Sequence, residues 1–200
     1  GNLISGNGFY GITLDGGTSE VSVLGNRIGT SADGAAALPN QGAGVSVSGS
    51  NHTLGGAGAL ARNLISGNSG DGVDISGVAT NATVLGNYIG TNASGSAAVA
   101  NGISGIRVLS ASAGIRIGDS GSGQGNLISG NLLRGVALDG TSNGVLIAGN
   151  RIGSNVDGSA AIGNGEAGIV LSGNNHVIGG NSVGARNLIS GNAGNGIIAF

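Results

Sequence analysis

The 200-residue chain holds 46 glycines, one proline and no cysteine, is 39% hydrophobic, 2% aromatic and 8% charged, and carries a formal net charge of −2. Aliphatic content this high with so little charge excludes a disordered chain, a single proline without a Gly-X-Y period excludes a collagen helix, and the lack of cysteine removes disulfides, thiolate metal sites and cysteine nucleophiles together. All seven basic residues are Arg in a net-negative chain, so no nucleic-acid partner is expected, and no apolar run approaches the roughly 20 residues of a membrane span, so no membrane insertion of this segment is expected.

From its N-terminus the chain is written in repeats. Asn-Leu-Ile-Ser-Gly-Asn starts at Asn2 and returns at Asn63, Asn126 and Asn187, at intervals of 61, 63 and 61. A variant with the core Gly-Asn-x-Ile-Gly falls between these copies and places Asn26, Asn87 and Asn150 in the same series. The spacings alternate 24, 37, 24, 39, 24 and 37, so the unit is a pair of intervals totalling about 62 residues. Two residues after each Asn stands an isoleucine: Ile4, Ile28, Ile65, Ile89, Ile128, Ile152 and Ile189.

After each Asn-x-Ile site comes a run of alternating character, from "GITLDG" at Gly11 through "GVDISG" at Gly72 and "GIRVLS" at Gly105 to "GIIAF" at Gly196. Alternation predicts a half-buried strand. Ile12/Leu14, Val45/Val47, Val73/Ile75, Ile106/Val108, Val136/Leu138, Ile169/Leu171 and Ile197/Ala199 are expected inside, with Thr13, Ser46, Asp74, Arg107, Ala137, Val170 and Ile198 outside. A third short run closes each turn: Val21 to Leu24, Thr53 to Leu54, Thr83 to Leu85, Ile115 to Ile117, Val145 to Ile147 and Val177 to Ile178. Long detours at 30–43, 91–104 and 154–167 recur on every second turn. Helices are disfavoured, because Gly every few residues costs about 1 kcal/mol each relative to Ala.

Three short strands per turn with like residues at each rung predict an all-β fold, a single parallel β-helix of about seven coils continuous over residues 1–200, in which each coil buries its aliphatic side chains on the next. Both termini fall inside repeats, which reads as a segment of a longer repeat protein. Asn tolerates tight corners and its amide can hydrogen-bond from coil to coil, so the column Asn2, Asn26, Asn63, Asn87, Asn126, Asn150 and Asn187 is expected to be structural, as is the isoleucine column.

The pattern "GNxIGTxxxGxxAxxN" followed by "GxGVxxxG" and "ARNLISGN" resembles the tandem right-handed parallel β-helix repeats of large secreted or surface-anchored bacterial proteins, distantly akin to the pectate-lyase-like and NosD-like repeat groups. The resemblance spans essentially the whole chain, supplies the right-handedness, and implies an extracellular or cell-surface structural or adhesive role.

The pattern sets up no catalytic carboxylate dyad. Glycoside hydrolysis needs two carboxylates about 5–9.5 Å apart. Asp15 and Asp139 occupy equivalent positions but four coils apart, about 19 Å, and Asp33 and Asp157 on the long detours are equally distant. His52 and His176, also equivalent and four coils apart, cannot share a metal. Asp74 and Arg107, on adjacent rungs, are expected to form a surface ion pair, with Asp71 and Arg134 nearby. Tyr88 replaces Arg27 and Arg151 at an outward position, so no aromatic array is expected to run along the rod. Asn51, Asn81 and Asn92 begin glycosylation sequons, a frequent accident in an Asn-rich chain. The sequence therefore predicts a non-catalytic extracellular stalk, spacer, or self-assembling surface fibre or adhesin, with no cofactor or metal. Its expected partners are copies of itself, end-to-end or lateral, and surface glycans. The alternative is the support domain of a carbohydrate-active β-helix protein.

Overall fold

The computed structural model describes residues 1–109 and 113–200; Ser110, the last letter of "GIRVLS", lies outside them. The described residues form a parallel β-solenoid. Its first sheet has seven two-residue strands, from Leu3–Ile4 through Leu64–Ile65 and Leu127–Ile128 to Leu188–Ile189. Its second has seven three-residue strands, from Ile12–Leu14 to Ile197–Ala199, and its third has six, from Ser22–Val23 to Val177–Ile178. Within each sheet every strand pairs in parallel with its equivalent one coil away, Ile28 opposite Ile65 and Val73 opposite Ile106. Six complete turns result, with a seventh rung on two of the three sheets. A 3-10 turn at Val183–Ala185 is the one helical element among the described residues.

The strands are short because each must turn a corner after two or three residues, and the aliphatic columns decide which side faces in. Ile28, Ile65, Ile89, Ile128 and Ile152 are fully buried, as are Val45, Val47, Ile106, Val108, Val136 and Leu138. Each such side chain contributes about 1.5–3 kcal/mol by leaving water. Ile4 and Ile189, in the first and last rungs, are partly buried and pack against the same core.

The long detours are hairpins, and their thickness accounts for their recurrence on every second coil. Thr30 bridges Ala37 in antiparallel fashion, Thr91 bridges Ala98, and Ser154 bridges Ala161. A two-stranded hairpin laid against the rod fills about two interstrand spacings of 4.8 Å, so one hairpin occupies the height of two coils. The hairpins then touch: the Ala93 amide donates to the Gly34 carbonyl at 3.1 Å and that of Val156 to the Gly95 carbonyl at 3.0 Å. A hairpin on every coil would collide with its neighbour.

The corner before each third-sheet strand is a left-handed position, occupied by Glu20, Asn51, Asn81, Gly114, Gly144 and Asn175, all at positive φ. At Gly144 a Cβ would meet no atom within 4 Å, whereas at Gly90, φ +88°, it would lie 2.4 Å from the Asn131 side-chain oxygen and the Ser129 carbonyl. Gly144→Asn, which copies its column neighbours, is expected to leave the melting temperature nearly unchanged. Gly90→Ala is expected to lower stability by more than about 1 kcal/mol, the cost of strained left-handed backbone alone. Thermal denaturation of the two variants checks the contrast.

Candidate functional site

Polar chemistry in the rod falls into two groups, one spent on holding corners and one carried on the outer faces. The predicted Asn column is the first corner, between the third and first sheets. Each side-chain oxygen accepts from the backbone amide and the side-chain amide of the Asn one coil earlier; for Asn87 the donors are Asn63 N at 3.1 Å and Asn63 Nδ2 at 2.9 Å. In Asn63, Asn87, Asn126 and Asn150 Nδ2 donates onward to the next Asn and also to a third-sheet carbonyl, as Asn63 does to Val23 O at 2.7 Å and Asn87 to Leu54 O at 2.8 Å. The chain of bonds runs unbroken from Asn2 through Asn26, Asn63, Asn87, Asn126 and Asn150 to Asn187.

A second ladder, which the sequence reading missed, holds the corner between the first and second sheets. Asn7, Asn40, Asn68, Asn101, Asn131, Asn164 and Asn192 are linked side chain to side chain. Their Nδ2 groups also reach the carbonyls of the isoleucine column, Asn40 to Ile4 O and Asn101 to Ile65 O, both at 3.0 Å. The signal was present, since four of these are the final letter of "NLISGN", but the other three lie inside the detours. The histidines serve the third corner: His52 Nδ1 accepts from the Val21 amide at 3.1 Å and His176 Nδ1 from the Val145 amide at 3.2 Å.

One group of charged residues lies on and beside the outer face of the second sheet. Asp74 and Arg107 are register partners, but Arg107 does not pair with Asp74 as expected. Its Nε donates to Asp139 Oδ2 on the following coil at 3.0 Å, and Arg134 Nε donates to Glu166 Oε2 at 3.0 Å rather than to Asp71. Both pairs remain partly solvated, which spares the desolvation penalty of a buried pair. Asp74 is left with Oδ1 buried and without a hydrogen-bond partner among the described residues, and Asp71 accepts from the Ser104 amide at 2.8 Å. Ala137 and Val170, placed outside by alternation, are buried. Among the described residues no group of three or more His, Cys, Asp or Glu side chains is arranged to hold a metal.

Burial pushes the Asp74 carboxyl above the usual carboxylate range, with Arg107 opposing. Burial also raises Asp71, where the Ser104 amide opposes and the Asp74 charge adds. A carboxyl whose folded pKa is raised destabilises the fold once ionised, so its contribution worsens as pH rises from the unfolded value through the folded one. Asp33 and Asp119 shift the other way through hydrogen bonds from Ser31 and Arg116, but both are solvated and contribute little. Asp71→Asn with Asp74→Asn is therefore expected to raise the melting temperature at pH 7, with the difference from wild type vanishing below the usual Asp pKa of about 3.9. Calorimetry across that range measures it.

The outer face of the first sheet differs again. Tyr88 points outward as expected but is not exposed: Leu64, Leu127 and Val156 surround it, and the Arg62 guanidinium lies 4.0 Å above its ring. The hairpins fold over this face, so that a Cβ on Gly34 would touch Leu64 and one on Gly95 would touch Leu127 and Tyr88.

Coil stacking, aliphatic columns and amide ladders define the chain as a parallel β-solenoid built from tandem repeats. Scans against protein-family models, curated proteins and solved structures returned no match.

Proposed function

We propose that this segment is a non-catalytic structural rod, a stalk or spacer of an extracellular or surface-anchored protein of the right-handed β-helix repeat type. The observation that carries the reading is the spending of buried polar chemistry on the rod itself: two seven-membered Asn ladders span all seven rungs of the first sheet. Such ladders fix a constant rise and register, which is what a spacer requires and what an active site does not. Three ion pairs, Arg107–Asp139, Arg116–Asp119 and Arg134–Glu166, occupy surface carboxylates in salt bridges. The extracellular placement comes with the resemblance of the repeats. Small-angle scattering of the purified protein, beside assays on polysaccharides, tests the reading. An axial length of about 30 Å for seven rungs without cleavage supports it; hydrolysis or lyase activity, or an axial length unlike seven stacked rungs, would overturn it.

A further inference from the structure

The seven arginines divide by face. Arg107, Arg116 and Arg134 each have a carboxylate within salt-bridge distance, and they stand on the second and third sheets. Among the described residues the four without such a partner are Arg27, Arg62, Arg151 and Arg186, and all four line one trough along the outer face of the first sheet. Three adjoining depressions compose it, the first two sharing Arg62 and Tyr88 and the last two sharing Arg151. The short detours form one wall and the hairpin tips the other.

Arg62 is held over Tyr88 and donates Nε to the Gly86 carbonyl at 3.3 Å. Arg27, Arg151 and Arg186 are exposed, and among the described residues no side-chain hydrogen bond ties them down. Two acids flank the strip, Asp33 near Arg27 and Asp157 beside Arg151, so the trough is net positive in a chain of net charge −2. Leu60 and Val183 stand on the rim, 96% and 83% exposed, each next to one arginine pair.

We propose that this trough binds an extended saccharide or polyol chain bearing tetrahedral oxyanions, with one anion at Arg27 and Arg62 and another at Arg151 and Arg186. The two sites are four rungs apart, about 19 Å. Two guanidiniums lining one depression approach an anion from different sides: a carboxylate holds its two oxygens in one plane, which suits a single fork, whereas the oxygens of a phosphate diester or sulfate ester are set tetrahedrally and can accept from both. Leu60 and Val183 offer the CH faces of a sugar or polyol an apolar contact at each anion. The recessed, linear shape suits a polymer rather than a membrane plane. The sparse charge and the covered Tyr88 ring do not suit single-stranded nucleic acid, which is held by dense cationic contacts and exposed aromatics. The proposal rests on these residues and stands whether or not the rod is a spacer.

Its test is binding of the intact protein to dextran sulfate, poly(glycerol phosphate), alginate, neutral dextran, single-stranded DNA and anionic vesicles at physiological salt. Binding to dextran sulfate or to poly(glycerol phosphate) is expected, the tighter of the two identifying sulfate or phosphate as the source. Arg27→Ala with Arg151→Ala should weaken it at least tenfold, and Arg116→Ala, on another face, should not. Both arginines are exposed and unbonded, so circular dichroism should show the double variant folded. Failure to bind either polymer, equal or tighter binding of alginate, DNA or vesicles, or equal loss in Arg116→Ala would overturn the proposal.

Discussion

Ile128→Asp is expected to abolish the cooperative unfolding transition, whereas Thr13→Asp should move it by no more than about 0.5 kcal/mol. Ile128 is fully buried in the middle of the aliphatic column, opposite Ile89 and Ile152. An aspartate there buries a charge with no partner, a loss above about 4 kcal/mol against a typical total stability of 5–15 kcal/mol. Thr13 belongs to an equally regular strand but faces solvent. Chemical denaturation followed by circular dichroism separates the two, and equal tolerance would show that the inward column has been assigned to the wrong side.

Asn87→Ala carries the second largest effect. Its side chain makes four buried hydrogen bonds, accepting from Asn63 N and Nδ2 and donating to Leu54 O and the Asn126 side-chain oxygen. Alanine leaves those groups unpaired in a dry corner, and at about 1–3 kcal/mol for each unsatisfied group the loss should reach roughly 4 kcal/mol. Asn181→Ala, at an exposed site with no such bonds, is the control and should fall within about 0.5 kcal/mol of wild type. A loss at Asn87 no larger than at Asn181 would mean that water serves the corner as well as the ladder does.

The sequence made the solenoid legible wherever a residue type recurred at one position in every coil. The Asn column beginning at Asn2 and the isoleucines two residues later are such cases, because the same backbone corner and the same core site demand the same side chain each time. The second Asn ladder was harder to see: Asn40, Asn101 and Asn164 sit in detours, and the intervals of 28, 30 and 33 between successive members differ from those of the first ladder. Pairing of charges was not legible, since register sets Asp74 beside Arg107 but the long arginine side chain reaches the better-solvated Asp139 instead. Nor was the cover over Tyr88, which depends on a hairpin folding back across its sheet. Composition hid the cationic trough, because a net charge averages over faces that the fold keeps apart.

Pairs of coils are interchangeable units of fixed rise in this rod. Deleting residues 63–125, which joins Arg62 to Asn126 and removes one 63-residue repeat, keeps every column in register. It also brings the first and third hairpins together, with Val156 taking the place of Ala93 on Gly34. Small-angle scattering of this variant beside the intact chain is the direct measurement. A folded rod shorter by two rungs, about 10 Å, is the predicted result; an unfolded or collapsed chain, or a rod of unchanged length, would contradict it.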